Sequence, residues 1–139
     1  MIQRLSHTGI YVLDQDAARE FYVDKLGFEV RDDHTMENGF RWLTVGAKAQ
    51  PDLNIILMRV DGPNIQPELA KTLRGLLEKG MMSGGALHTS DCRKTYEELR
   101  AKGVEFIQPP EERFYGIEAL MKDNSGNWFS LTEPKGFRR

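Results

Sequence analysis

The stretch at residues 7–14, "HTGIYVLD", and the stretch at 84–91, "GGALHTSD", open two copies of one pattern: an alternating strand, an aspartate, a helical segment, a glycine and another strand. In the first copy Ile10 and Val12 alternate as a half-buried strand requires. Asp14 and Asp16 offer N-cap oxygens to a helix predicted over 15–25, with Ala17, Phe21 and Tyr22 on one stripe. Gly27 ends it, since glycine accepts the left-handed conformation that follows a helix. Strands are predicted at 28–33, 40–45 and 53–60. The second copy reads as a helix over 92–102 stopped by Gly103, then strands at 104–107, 116–122 and 128–132.

A repeated βαβββ unit predicts an α+β fold in which two tandem modules, residues 1–60 and 84–139, form a cup-shaped, curled mixed sheet with helices outside. Each module covers one face of its sheet with its own helix, and the inner face needs a second module. Residues 61–83 join the halves: Gly62, Pro63 and Pro67 come first, then a helix over 68–79. Leu69, Leu73, Leu76 and Leu77 follow helical spacing there, a stripe suited to a core or a dimer face.

Charge narrows the partners. The 19 basic and 21 acidic residues are interspersed and leave a formal charge of −2, which argues against counterion-driven capture of nucleic acid or of an anionic membrane. No run approaches the ~18 apolar residues of a membrane span. The opening Met1-Ile2-Gln3-Arg4 lacks the layout of an export signal, and a single cysteine forms no internal disulfide, so the cytoplasm is the expected compartment. Cys92 stands at a helix start, where a thiol pKa can fall, but a lone cysteine reads first as a small buried apolar group.

The block "HTGIYVLDQDAAREFYVDKLGFEV" resembles the opening module of the vicinal oxygen chelate superfamily, which includes glyoxalase I, fosfomycin and bleomycin resistance proteins and extradiol dioxygenases. The blocks "DCRKTYEELRAKGVEF" and "YGIEALMKDNSGNWFSLTE" resemble its second module. The resemblance implies a divalent metal held in the cup by two histidines and one or two glutamates. His7 matches the first ligand. Gly84, Ser130 and Ile56 stand where the others are expected. One imidazole does not hold a catalytic ion that takes about three protein ligands, so no cofactor is predicted. The alternative is a rearranged site for Zn, Ni, Mn or Fe built from His7, His88 and Glu118. His88 lies four residues past Gly84, about 13 Å along an extended strand, and would need a deeper site.

Strand parity sorts the remaining candidates. If Phe129 and Leu131 face the helices, then Trp128, Ser130 and Thr132 face the cup; if Ile117, Ala119 and Met121 face the helices, then Glu118 and Leu120 face the cup. The same alternation sends Asn54, Ile56 and Met58 inward, with His7 and Tyr11, Trp42, and Gly84, Ala86 and His88. Glu118 is the candidate catalytic group, because burial on an apolar strand raises a carboxyl toward the general-base range. The competing reading pairs it with Arg41, Arg59 or Arg113. His34 reads as a solvated loop residue, and Asp123-Asn124-Ser125-Gly126-Asn127 as turn chemistry.

The inventory of His7, Tyr11, Trp42, Asn54, Ile56, Met58, His88, Glu118, Trp128 and Ser130 describes a pocket for a small organic molecule. The expected function is binding of such a ligand without the standard metal, in the manner of bleomycin resistance proteins. One alternative is a metal-dependent lyase or dioxygenase. Another is a dimeric interaction module whose cup is filled by Trp42, Met58 and Trp128. The resemblance also implies a homodimer.

Overall fold

The computed structural model describes residues 1–136. The first module runs β1 (His7–Val12), α1 (Gln15–Glu20), β2 (Glu29–Thr35), β3 (Arg41–Gly46) and β4 (Asn54–Arg59). A joining helix, α2 (Pro67–Glu78), precedes β5 (Ser83–His88), α3 (Cys92–Ala101), β6 (Phe106–Arg113), β7 (Gly116–Lys122) and β8 (Trp128–Pro134). The two four-stranded sheets have the orders β1-β4-β3-β2 and β5-β8-β7-β6. In each, the first and last strands pair in parallel and the other pairings are antiparallel. The chain is an α+β protein of two tandem βαβββ modules.

The repeated aspartates act as the pattern requires: Asp14 accepts from the Ala17 N–H and Asp91 from the Lys94 N–H, each at 3.0 Å. The first helix departs from expectation. It leaves α-helical geometry after Glu20 and continues as a wider π-type turn over Phe21–Lys25, closed by the Leu26 N–H on the Phe21 carbonyl at 3.2 Å. The wide turn lets two successive aromatics, Phe21 and Tyr22, reach the interior together. Ala18 joins them there, and the expected Ala17 is half-buried.

One core serves both modules. Ile10, Val12, Leu43, Val45 and Leu57 of the first sheet share it with Ala119, Met121, Phe129 and Leu131 of the second, and with residues of both module helices. The chain therefore joins its modules through their helix-bearing sides. Tyr22 meets Phe28 and Phe129 at ring-centroid distances of 5.8 and 6.3 Å. Cys92 is buried there, donating to the Leu131 carbonyl, and burial pushes its thiol pKa up, away from reactivity.

A polar loop fastens the contact. Asp123 Oδ1 accepts the backbone N–H groups of Ser125, Gly126 and Asn127, which is the turn chemistry the sequence suggests. Its Oδ2 accepts the Tyr22 hydroxyl at 2.6 Å and the Asn127 amide at 2.9 Å. Asn127 also donates to the Tyr11 carbonyl, Asn124 donates to the Ala17 carbonyl, and the Leu13 N–H donates to Ser125 Oγ. Gly126 has φ +109, and any Cβ there would strike the Leu77 carbonyl at the end of α2. The loop thus touches β1, α1 and α2 at once.

Burial first, then the Asp123 carboxylate, hold the Tyr22 hydroxyl well above the usual tyrosine pKa. Tyr22→Phe is expected to lower unfolding free energy in urea by about 1 to 3 kcal/mol, the range for losing a buried hydrogen bond to a charged group. Because the folded pKa is raised, the stabilisation is complete below about pH 10 and is lost as pH rises beyond it, where the unfolded chain ionises first. The alkaline decline should be shallower in Tyr22→Phe; an equal decline in both proteins would contradict this assignment.

Candidate functional site

Since the modules meet through their helix-bearing sides, each sheet keeps a second, half-exposed face. On the first sheet this face carries His7, Tyr11, Trp42, Asn54, Ile56 and Met58, none of them fully buried. The register puts His7 beside Asn54 and Tyr11 beside Met58. The His7 ring lies 5.7 Å from Trp42, and its Nδ1 is 3.0 Å from Ser6 Oγ. Met58 lies across Gly9, so that a Cβ at Gly9 would come within 2.7 Å of the Met58 methyl. Asn54 is committed to structure: it donates to the Ser6 carbonyl and accepts from Arg31. Arg31 also donates to the Ala47 and Pro51 carbonyls and pairs with Glu29, tying down the loop between β3 and β4.

The second sheet's open face carries Ala86, His88, Glu118, Leu120, Trp128, Ser130 and Thr132, while Ala119, Met121, Phe129 and Leu131 are buried, as alternation predicts. A hydrogen-bonded chain crosses this face. Tyr115 donates to Glu118 Oε1 at 2.5 Å, Ser130 donates to Glu118 Oε2 at 2.6 Å, and Ser130 and Thr132 share a bond of 2.7 Å. Arg113 Nε stands 4.0 Å from Glu118. Burial lifts the Glu118 carboxyl, but the Ser130 and Tyr115 hydrogen bonds and the Arg113 guanidinium outweigh it and hold the pKa below the ordinary glutamate value. Glu118 is therefore an ionised acceptor at neutral pH, not a general base with a raised pKa, and Arg113 is the partner among the three arginines considered. His34 is exposed, though on β2 opposite Trp42 and not in a loop.

The predicted pocket residues divide between the two sheets. His7, Tyr11, Trp42, Asn54, Ile56 and Met58 belong to one sheet; His88, Glu118, Trp128 and Ser130 belong to the other. Within one chain the donor set for the family's metal is thin: of the four matched positions only His7 carries a ligating side chain. The neighbours recorded for His7 are Ser6 and Trp42, and among the described residues of one chain no three His, Cys, Asp or Glu side chains come close enough to cage an ion. Gly84 departs from parity. The β5–β8 register slips between Ser83 and Gly85, and a Cβ at Gly84 would come within 2.2 Å of the buried Phe129 ring. No side chain stands there without displacing a core aromatic, so the glycine closes the position where the resemblance expects a second histidine.

A cavity at one end of the first sheet has no counterpart in the strand alternation. A space of about 270 Å³ lies where Tyr11 and Met58 meet the start of the joining segment, lined also by Phe40, Arg41, Pro63 and Ile65. Arg41 is held there by Asp16 at 2.7 Å and Asp33 at 2.9 Å. The Gly62-Pro63 pair was a visible turn signal, but nothing in its spacing told which strand ends the turn would cover.

Comparison with known proteins agrees with this architecture. The family model described as "Glyoxalase/Bleomycin resistance protein/Dioxygenase superfamily" matches residues 4–131. The crystal structure of UcmS2 is 49% identical and superposes with a TM-score of 0.92, covering 96% of this chain and 99% of that one. TnmS3, an antibiotic binding protein from Streptomyces sp. CB03234, is 28% identical with a TM-score of 0.75, covering 96% of this chain and 98% of its own. The uncharacterized protein YurT of Bacillus subtilis (strain 168) is 31% identical over 126 residues, 91% of this chain and 95% of YurT.

The Gly84 geometry yields a paired test. Gly84→Ala is expected to cost about 1 to 3 kcal/mol through overpacking against Phe129. Gly75→Ala, inside α2 where a Cβ meets nothing within 4 Å, should gain about 0.5 to 1 kcal/mol. Thermal unfolding of the two variants measures both, and a neutral Gly84→Ala would show that Phe129 yields freely.

Proposed function

The chain belongs to the glyoxalase/bleomycin resistance protein/dioxygenase superfamily, and from that premise we propose that it binds a small organic molecule with aromatic surface, without the family's metal. The cleft is composite: the open face of the first module from one copy faces the open face of the second module from another, in a cytoplasmic homodimer. The observation that carries this reading is the pair of faces, each placing a tryptophan, Trp42 or Trp128, beside polar side chains and left half-exposed by the packing of the described residues. The similarity to TnmS3, an antibiotic binding protein, supports a ligand of natural-product type. Three of the four positions matched to metal ligands hold Ile56, Gly84 and Ser130, whichever copy supplies the second module. The polar members of the faces then serve as hydrogen-bonding groups around a ring system, and the expected action is sequestration.

Screening a panel of aromatic compounds by melting temperature should reveal binders, since a ligand at a hundred times its Kd adds about 2.7 kcal/mol. Trp42→Ala and Trp128→Ala should each abolish the shift. Mixing the two variants should restore binding in part, because one of the two clefts in a mixed dimer then carries both tryptophans. Mixing without restoration would contradict a shared cleft. Stoichiometric uptake of Zn²⁺, Ni²⁺, Mn²⁺ or Fe²⁺, lost in His7→Ala, would contradict the metal-free reading.

A further inference from the structure

The hydrogen-bonded chain on the second sheet has a direction, and the direction restricts the ligand. Glu118 is ionised, so it only accepts; Ser130 must spend its one proton on Glu118 Oε2. The 2.7 Å bond between Ser130 and Thr132 can then have only Thr132 as its donor. Tyr115 spends its proton on Glu118 Oε1. Every hydroxyl proton in the Thr132–Ser130–Glu118–Tyr115 chain is thus turned inward to the carboxylate. What remains for a guest is lone pairs: those of Thr132 Oγ1 at one end and the unused ones of the two carboxylate oxygens.

The chain also lies where a guest would meet it. Glu118 stands opposite Thr132 and Leu120 opposite Ser130 in the β7–β8 register, and Trp128 follows on the same face. The Glu118 side chain is 16% exposed, enough for contact and too little for full hydration. Arg113, beyond Glu118, turns its Nη2 to Gln108 and Glu111 along the sheet edge, and its Nε stands 4.0 Å from the Glu118 carboxylate. We infer that the Glu118–Ser130–Thr132 ladder selects ligands that present a hydrogen-bond donor, a hydroxyl or an amine, on an aromatic frame, and discriminates against frames whose oxygens only accept. This rests on the composite cleft proposed above and names the chemistry it recognises. An acceptor-only oxygen placed on the ladder leaves lone pairs facing lone pairs in a partly desolvated site, whereas a donor completes the network.

The test uses a matched pair of probes, naphthalene-2,6-diol and 2,6-dimethoxynaphthalene, titrated into ¹⁵N-labelled protein with the Trp42 and Trp128 indole signals as reporters. The diol should bind about tenfold or more tightly than its dimethyl ether, the ratio expected of a hydrogen bond to a charged acceptor. Thr132→Val, which keeps shape and removes the terminal acceptor, should bring the ratio toward one, weakening the diol by the lost hydrogen bond and relieving the ether of the facing lone pairs. Glu118→Gln, which supplies an amide donor, should do the same by improving the ether. Equal binding of both probes at the two indoles would overturn the donor requirement and leave the composite cleft standing. A ratio unchanged in Thr132→Val and Glu118→Gln would likewise overturn it. Binding that leaves both indole signals unmoved would overturn the cleft and this inference together.

Discussion

The Asp123 carboxylate, buried at 5% exposure and holding the Tyr22 hydroxyl, is the interaction on which the rest of the structure depends. A carboxylate removed from water needs its lone pairs filled, and here three backbone N–H groups, an amide and a phenol fill them. The first four come from its own loop. The fifth comes from the other module, so Asp123 reaches full satisfaction only when the two modules lie against one another. Asn127 and Ser125 extend the clasp to the Tyr11 carbonyl and the Leu13 N–H.

That clasp decides which faces of the sheets remain free. With Phe21, Tyr22, Phe129 and Leu131 committed to one shared interior, the opposite face of each sheet stays half-exposed among the described residues. Both faces mix apolar and polar groups: Trp42, Ile56 and Met58 with His7 on one, Leu120 and Trp128 with Glu118, Ser130 and Thr132 on the other. This mixture is what the proposed ligand, with rings and a few heteroatoms, would require. The polar groups are also largely pre-engaged, Asn54 with Arg31 and Glu118 with Ser130 and Tyr115, so little side-chain ordering is left to oppose binding.

Where a single period governs the chain, the fold and the faces were legible in the sequence. Alternation separated Phe129 and Leu131 from Trp128, Ser130 and Thr132, and the repeated aspartate and glycine marked both helices. Four things were not legible, each for a physical reason. The register slip at Ser83 and Gly85 turns Gly84 to the core, and a glycine has no side chain to betray its direction. The pKa of Glu118 depends on partners at positions 115 and 130 brought together by strand pairing, which composition does not report. The choice of which module sides meet rests on Tyr22 and Asp123, 101 residues apart, with no local signature in either segment. The cavity near Pro63 and Ile65 is likewise a product of where the joining segment lands.

The central claim is that the open face of one copy looks onto the open face of another. Paramagnetic broadening between copies tests it most directly. A nitroxide on Glu111→Cys, exposed on the edge strand opposite Glu118 and distinguishable from the buried Cys92, is placed on an isotopically unlabelled copy and mixed with ¹⁵N-labelled protein. The account predicts that the Trp42 indole signal of the labelled copy broadens, together with backbone signals of β1 and β4, and recovers on reduction of the nitroxide. Undisturbed Trp42 and β1 signals in a sample that sediments as a dimer would contradict it.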